Sequence, residues 1–338
     1  MDATVAGLVP AAHAGAHLLA LPRSRGSARA PFDSLARAWF ADAAWVSPPG
    51  GGNAARPMVG ARFRGVVPDS VVQPGELRLA EGARAVGPFP LTAPQTQALD
   101  LPAGAAEVFA LHLDDLAERG AAAGVADDRD GLVRAFPGGL PQGVELQVLG
   151  WALAAARRTG GAVVADGRTV LTPDPGSGVD LTLYSAQVLT PDDALRVLCT
   201  VVPTARVVAV EPRDGAPSDV VLAGETAYDG AVRLTLRRVP EVPVALAELD
   251  WRDYGPYAYG LSWVPLDPYE LDVERPSGLH VIARGRVRAL VARIAAMLQG
   301  RLAGTVVDDG GFVVHDLDLD QRLATSSSVR SRQAARSG

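Results

Sequence analysis

Sliding the chain along itself by 143 residues brings two helix faces and two hairpins into coincidence. In VELQVLGWALAAARR the apolar positions Val144, Val148, Trp151 and Ala155 recur three and four apart, which puts them on one face of a helix. The shift lays them on Val287, Val291, Ile294 and Leu298 of RGRVRALVARIAAMLQGRLAG. It also lays Gly161 on Gly304, Val163 and Val164 on Val306 and Val307, and Asp166-Gly167 on Asp309-Gly310. Asp-Gly between short β-branched runs signals a tight hairpin of the primed type, because both residues tolerate positive φ. A lone hairpin cannot cover an apolar helix stripe, so each copy needs more sheet beside it. VFALHL upstream of the first helix and AYGLSWV upstream of the second are strand-like and supply it. The expected fold is α+β: two related lobes of mixed or antiparallel sheet with covering helices, built from a repeated strand-helix-hairpin unit.

Length agrees, since 338 residues exceed the size at which one core usually stops growing. The expected division is an N-terminal segment and linker over 1–57, a first α+β lobe over 58–215, a second over 216–320, and a disordered basic tail over 321–338. Within the first part, FDSLARAWFADAAW has helical spacing and PPGGGNAARP breaks it. MVGARFRGVV, GELRLAEG and AEVFALHL read as strands, as do DLTLYS and ARVVAVE on either side of a helix capped by Thr190 with Pro191 at its first position. DLDLD, 316–320, alternates acid and leucine as a half-buried strand does. Residues 3–22 carry no charge for a full bilayer's length, yet two prolines, two histidines and many small residues argue for a packed element over a membrane span.

Composition removes several chemistries. All 32 basic residues are arginine, so no P-loop lysine, kinase strand lysine, pyridoxal Schiff base or Ser-x-x-Lys pair can exist. A net charge of −6 gives no basic face for nucleic acid. The single cysteine, Cys199, sits in an apolar helical run, which fits a small packed residue in a reducing compartment, and the expected location is the cytoplasm. His13 and His17 have i, i+4 spacing, but Ala14 stands where a zincin needs glutamate, and the Asp-rich runs at 127–131 and 316–320 miss the required residues of a calcium loop. No G-x-S-x-G and no dinucleotide glycine pattern occurs. No cofactor and no metal site is expected.

Two constellations remain. His112 with Asp114 and Asp115 closes the run AEVFALHL, where an acid–base group could face Glu274 or His280 from the second lobe. Of the five tryptophans and six tyrosines, six fall between 251 and 269: Trp251, Tyr254, Tyr257, Tyr259, Trp263 and Tyr269. Such rings give large contact area for little rotamer entropy, and Pro and Gly between them suggest a recognition loop. The expected function is a non-catalytic binding or assembly module acting through this Tyr/Trp-rich loop on a protein partner or a second copy. The alternative is a hydrolase using carboxylates and His112.

Overall fold

The computed structural model describes residues 7–23, 31–51, 72–115, 119–120, 128–213 and 216–324. The chain divides into two compact units, Met1–Val125 with Asp130–Pro175, and Ala126–Arg129 with Gly176–Gly338. Both are α+β, and each holds an antiparallel sheet of seven strands.

The first unit contains β1 (His17–Pro22), α1 (Phe32–Arg37), β2 (Ala44–Ser47), β3 (Gly50–Gly51), β4 (Val72–Gln73), β5 (Gly75–Ala80), β6 (Ala83–Pro90), α2 (Ala93–Ala98) and β7 (Ala105–Leu113). It continues with α3 (Leu132–Ala135), α4 (Gly143–Thr159), β8 (Ala162–Ala165) and β9 (Thr169–Leu171). Its sheet runs β2-β5-β6-β7-β1-β8-β9, with β3 and β4 as a separate ribbon. The first strand is thus central: Leu19 lies opposite Phe109 on one side and Val163 on the other. Leu18 and Ala20 join Val108, Ala110, Ala162 and Val164 in one buried cluster, while α4 packs along β1 and β8. A strand buried on both faces has no position for a charge, which accounts for the uncharged residues of β1. In α4 Trp151 is fully buried among Phe32 and Phe40, and its indole N–H donates to the Leu35 carbonyl at 2.8 Å. Gly160 ends the helix in the left-handed region at φ 72°.

The second unit contains β10 (Leu181–Ser185), α5 (Pro191–Val201), β11 (Arg206–Arg213), β12 (Ala216–Glu225), β13 (Ala231–Arg238), β14 (Tyr257–Val264), α6 (Gly278–Leu302), β15 (Thr305–Asp308), β16 (Val313–Val314) and α7 (316–324). Its sheet runs β11-β12-β13-β14-β10-β15-β16. Counted from each unit's own first strand, this is the order of the first sheet. The registers also correspond: Leu183 lies opposite Tyr259 and Val306, as Leu19 lies opposite Phe109 and Val163. Val287, Val291, Ile294 and Leu298 of α6 share one core with Leu181, Leu183, Leu222, Leu234 and Leu261. Thr190 caps α5, accepting from the Asp193 N–H at 3.1 Å, and Ser277 caps α6, accepting from the His280 N–H at 3.2 Å.

Several expectations need correction. The division falls near residue 175 instead of 215, because β10 pairs with β14 and β15 and so belongs with the strands that follow it. The N-terminal segment is no appendage, since β1 is an interior strand of a sheet, paired on both sides. The helix at 32 stops at Arg37, and Trp45 lies on the edge strand β2. Residues 316–320 are helical: Leu319 is buried while Leu317 is exposed, and Leu323 packs on the core one turn later. α7 extends to 324 into the span expected as tail, and Arg322 is buried there; the rest of that tail and MVGARFRGVV lie outside the described residues. The two hairpin turns also differ. Asp166 and Gly167 both have positive φ, as a primed turn requires, whereas at the second turn Gly311 has φ 77° and Asp308 Oδ1 accepts the N–H groups of Gly310 and Phe312. Among the described residues no helix is long and apolar enough to cross a membrane.

Trp151→Ala should cost about 3–5 kcal/mol in chemical denaturation, since it empties a buried site and orphans the Leu35 carbonyl. Val144→Ala, on the same sequence stripe but 39% exposed, should stay within about 0.5 kcal/mol of the parent. Equal costs would contradict the assigned helix face.

Candidate functional site

The proposed acid–base residues already have local partners. His112 on β7 meets His13, Nε2 to Nδ1 at 2.7 Å, and burial followed by His13 and Arg84 holds its pKa down. Asp114 accepts from Arg84 at 2.7 Å, and Asp115 is exposed. Glu274 and His280 belong to the other unit. His13 and His17 do not share a helix face: His13 closes a 3-10 turn and His17 opens β1. The His17 ring accepts the Asp166 N–H at Nδ1, 2.8 Å, and meets the buried Glu145 carboxylate at Nε2, 3.2 Å, where Arg119 also binds at 2.7 Å. Burial is the main cause that lowers its pKa, so His17 serves as a neutral brace between strand, turn and helix. Among the described residues no three His, Cys, Asp or Glu side chains are grouped to hold a metal ion.

The aromatic stretch is divided between core and surface. Tyr259 and Trp263 are buried side chains of β14, because alternate residues of that strand face the helices. The Tyr259 hydroxyl donates to the Gln187 carbonyl and accepts the Leu189 N–H, both at 2.8 Å, and burial pushes its pKa up to about 12. The Trp263 indole N–H donates to the Asp229 carbonyl at 2.6 Å. Trp251 and Tyr269, at 59% and 56%, are exposed on 3-10 turns, and Tyr254 and Tyr257 are half-buried.

Among the described residues of the second unit, a cavity opens near each end of β14. At the Tyr257 end is an apolar groove of about 310 Å³ between the β10–α5 loop and the sheet, lined by Val188, Leu189, Pro191, Val210, Leu236 and Tyr257, with Arg237 and Arg238 beside them. Val188 and Val210 are each 50% exposed. The loop forming its wall is the one that Tyr259 ties down.

At the Trp263 end is a polar pocket of about 210 Å³, lined both by Asp180, just before β10, and by His280 in the first turn of α6. Asp180 Oδ1 accepts the Trp263 backbone N–H at 3.0 Å. Burial raises its pKa to about 6, Asp309 adding to the rise while Trp263, Arg129 and Arg322 oppose it. Asp309 is paired with Arg129 at 3.1 Å. Glu270 accepts both the N–H and the hydroxyl of Ser277, at 2.6 and 2.8 Å, which keeps its carboxyl low. The His280 ring lies 4.7 Å from that of Trp263, and its pKa is lowered chiefly by burial. Sequence reasoning missed Asp180, which looked like the start of an ordinary strand; its only signal was an acid set directly before an apolar run.

Because Asp180 ionises less readily folded than unfolded, its charge destabilises the fold above pH about 6 and ceases to do so below the ordinary value of 3.8. Asp180→Asn should therefore stabilise the protein at pH about 7.5, by up to roughly 3 kcal/mol, and the gain should vanish near pH 4 in parallel denaturation curves. A gain that is absent at the higher pH, or independent of pH, would show that the carboxylate is not strained.

No protein-family model matches the chain, and no curated protein or solved structure matches it either.

Proposed function

We propose that the chain is a non-catalytic binding module that receives a short acid-flanked apolar segment of a partner protein in the groove at the Tyr257 end of β14. The observation that carries this reading is the groove itself: aliphatic walls left half-exposed beside a tyrosine, over a loop fixed by two hydrogen bonds. Groups that fill such a groove lose water without the groove having to reorder, the condition under which small apolar contacts give useful affinity. The charge at the rim selects the partner. Arg237 is exposed, with no ion pair among the described residues, so an acidic residue next to the inserted side chain would find a cation.

Trp251 and Tyr269 stand ready as further contact rings, whereas Tyr259 and Trp263 act by holding the frame. The hydrolytic alternative has less support, because His112 and Asp114 are engaged with His13 and Arg84. We also read the common strand order and ladder register of the two units as an internal duplication. On that reading the groove is a specialisation of one copy.

Peptides selected from a random displayed library against the full chain should converge on an apolar residue next to Asp or Glu. Their affinity should fall at least about tenfold in Val188→Asp and in Arg237→Glu, both surface changes that leave the core intact. No convergent motif, or binding indifferent to both substitutions, would overturn the proposal.

A further inference from the structure

The polar pocket contains a carboxylate that the fold uses only in part. Asp180 spends one oxygen on the Trp263 N–H, and Oδ2 accepts no hydrogen bond among the described residues. Its neighbours are otherwise occupied: Asp309 binds Arg129, and both oxygens of Glu270 cap the start of α6. Asparagine at position 180 would keep the bond to Trp263 without the burden of a desolvated charge. A residue that costs stability where a neutral isostere would serve is the mark of a site whose requirement is not structural.

We propose that this pocket binds a small organic cation, a primary ammonium or guanidinium group, with the free oxygen of Asp180 as its anchor. This goes beyond the peptide groove and does not depend on it. The charge balance favours a cation, because Asp180, Glu270, Asp272 and Asp309 line the pocket against Arg129 and Arg284, with Arg322 acting on Asp180 from behind the lining. Burial lowers the pKa of His280, which works against a positive charge there. The paired Trp263 and His280 rings offer a polarisable wall beside the anchor. A bare divalent ion is a poor fit, since no three metal-ligating side chains are grouped among the described residues. The space of about 210 Å³ suits a ligand of amino-acid size.

Ionised Asp180 is the binding form, so ligand and proton compete. Asp309, Arg129 and Arg322 act on Asp180 from the surrounding segments, and the first raises its proton affinity while the two arginines lower it. Binding should be nearly constant above neutrality and should weaken about tenfold by pH 5, where about a tenth of the carboxyl remains charged.

The test is calorimetric titration of the full chain with methylguanidinium and with putrescine, alongside glutarate and phosphate as anions. At pH about 7.5 at least one cation should saturate with a dissociation constant in the millimolar range or tighter, the strength open to a ligand this small. The same titration should be at least about tenfold weaker at pH 5 and in Asp180→Asn, yet unchanged in Asp114→Asn, a surface acid of the other unit. Asp180→Asn is expected to fold at least as stably as the parent, so loss of binding there reports the anchor. Saturation by the anions instead, failure of both cations to saturate, or cation binding that survives Asp180→Asn would each overturn the proposal. Peptide binding in the groove should be intact in Asp180→Asn, which keeps the two proposals separable.

Discussion

The interaction on which each unit depends is the pairing of its first strand on both sides. β10 is hydrogen-bonded to β14 and to β15, which lie far along the chain, and β1 is paired in the same way with β7 and β8. Closing such contacts costs loop entropy before any apolar surface is buried, so the sheet core must repay it. It does so through strands whose every position is used, as in β1, or through alternate positions under long helices, as in β10 beneath α6. Both cavities hang from the ends of β10. Asp180 precedes its first residue, and the loop from Gln187 to Pro191 leaves its last.

Among the described polar groups of the second unit, several hold the frame, and Asp180 is used by it only in part. Tyr259, Trp263 and Ser185 each use their hydrogen-bonding atoms on backbone groups, Ser185 reaching the Leu302 carbonyl at 3.1 Å. Satisfied groups of this kind fix a loop or a helix end at little net cost. Asp180 is different, because its charge is desolvated and only one of its oxygens is bonded. The buried Glu145 of the first unit also has a single bonded oxygen, but there the Arg119 guanidinium sits on that oxygen at 2.7 Å and supplies the opposite charge inside the fold.

Much of the architecture was legible in the sequence because it rests on periodicity. α4 and α6 announce themselves by apolar residues three and four apart, and the hairpins by Asp-Gly; all four are present. Alternation misled at DLDLD, where the buried Leu319 and the packed Leu323 follow helical spacing and the tertiary core decided between the two periods. The early turns of α6 had a signal in Ser277 after Pro276, a cap before apolar residues, and α2 had one in Thr92 with Gln95. The boundary near 175 was not legible, since nothing local reveals that a strand pairs with partners more than seventy residues ahead. The candidate site was partly legible. Clustering of rings marked β14, but which of them face the core depends on strand direction, and Asp180 is defined by a cavity that only the assembled unit creates.

Amide hydrogen exchange on the full chain tests the central role of the first strands most directly. The amides of residues 18–21 and of Leu181–Ser185 should be among the slowest in the molecule, at least about tenfold slower than those of the edge strands β2 and β11. Exchange of β1 or β10 as fast as that of β11 would mean that those strands are not held on both sides, and neither sheet could then stand as described.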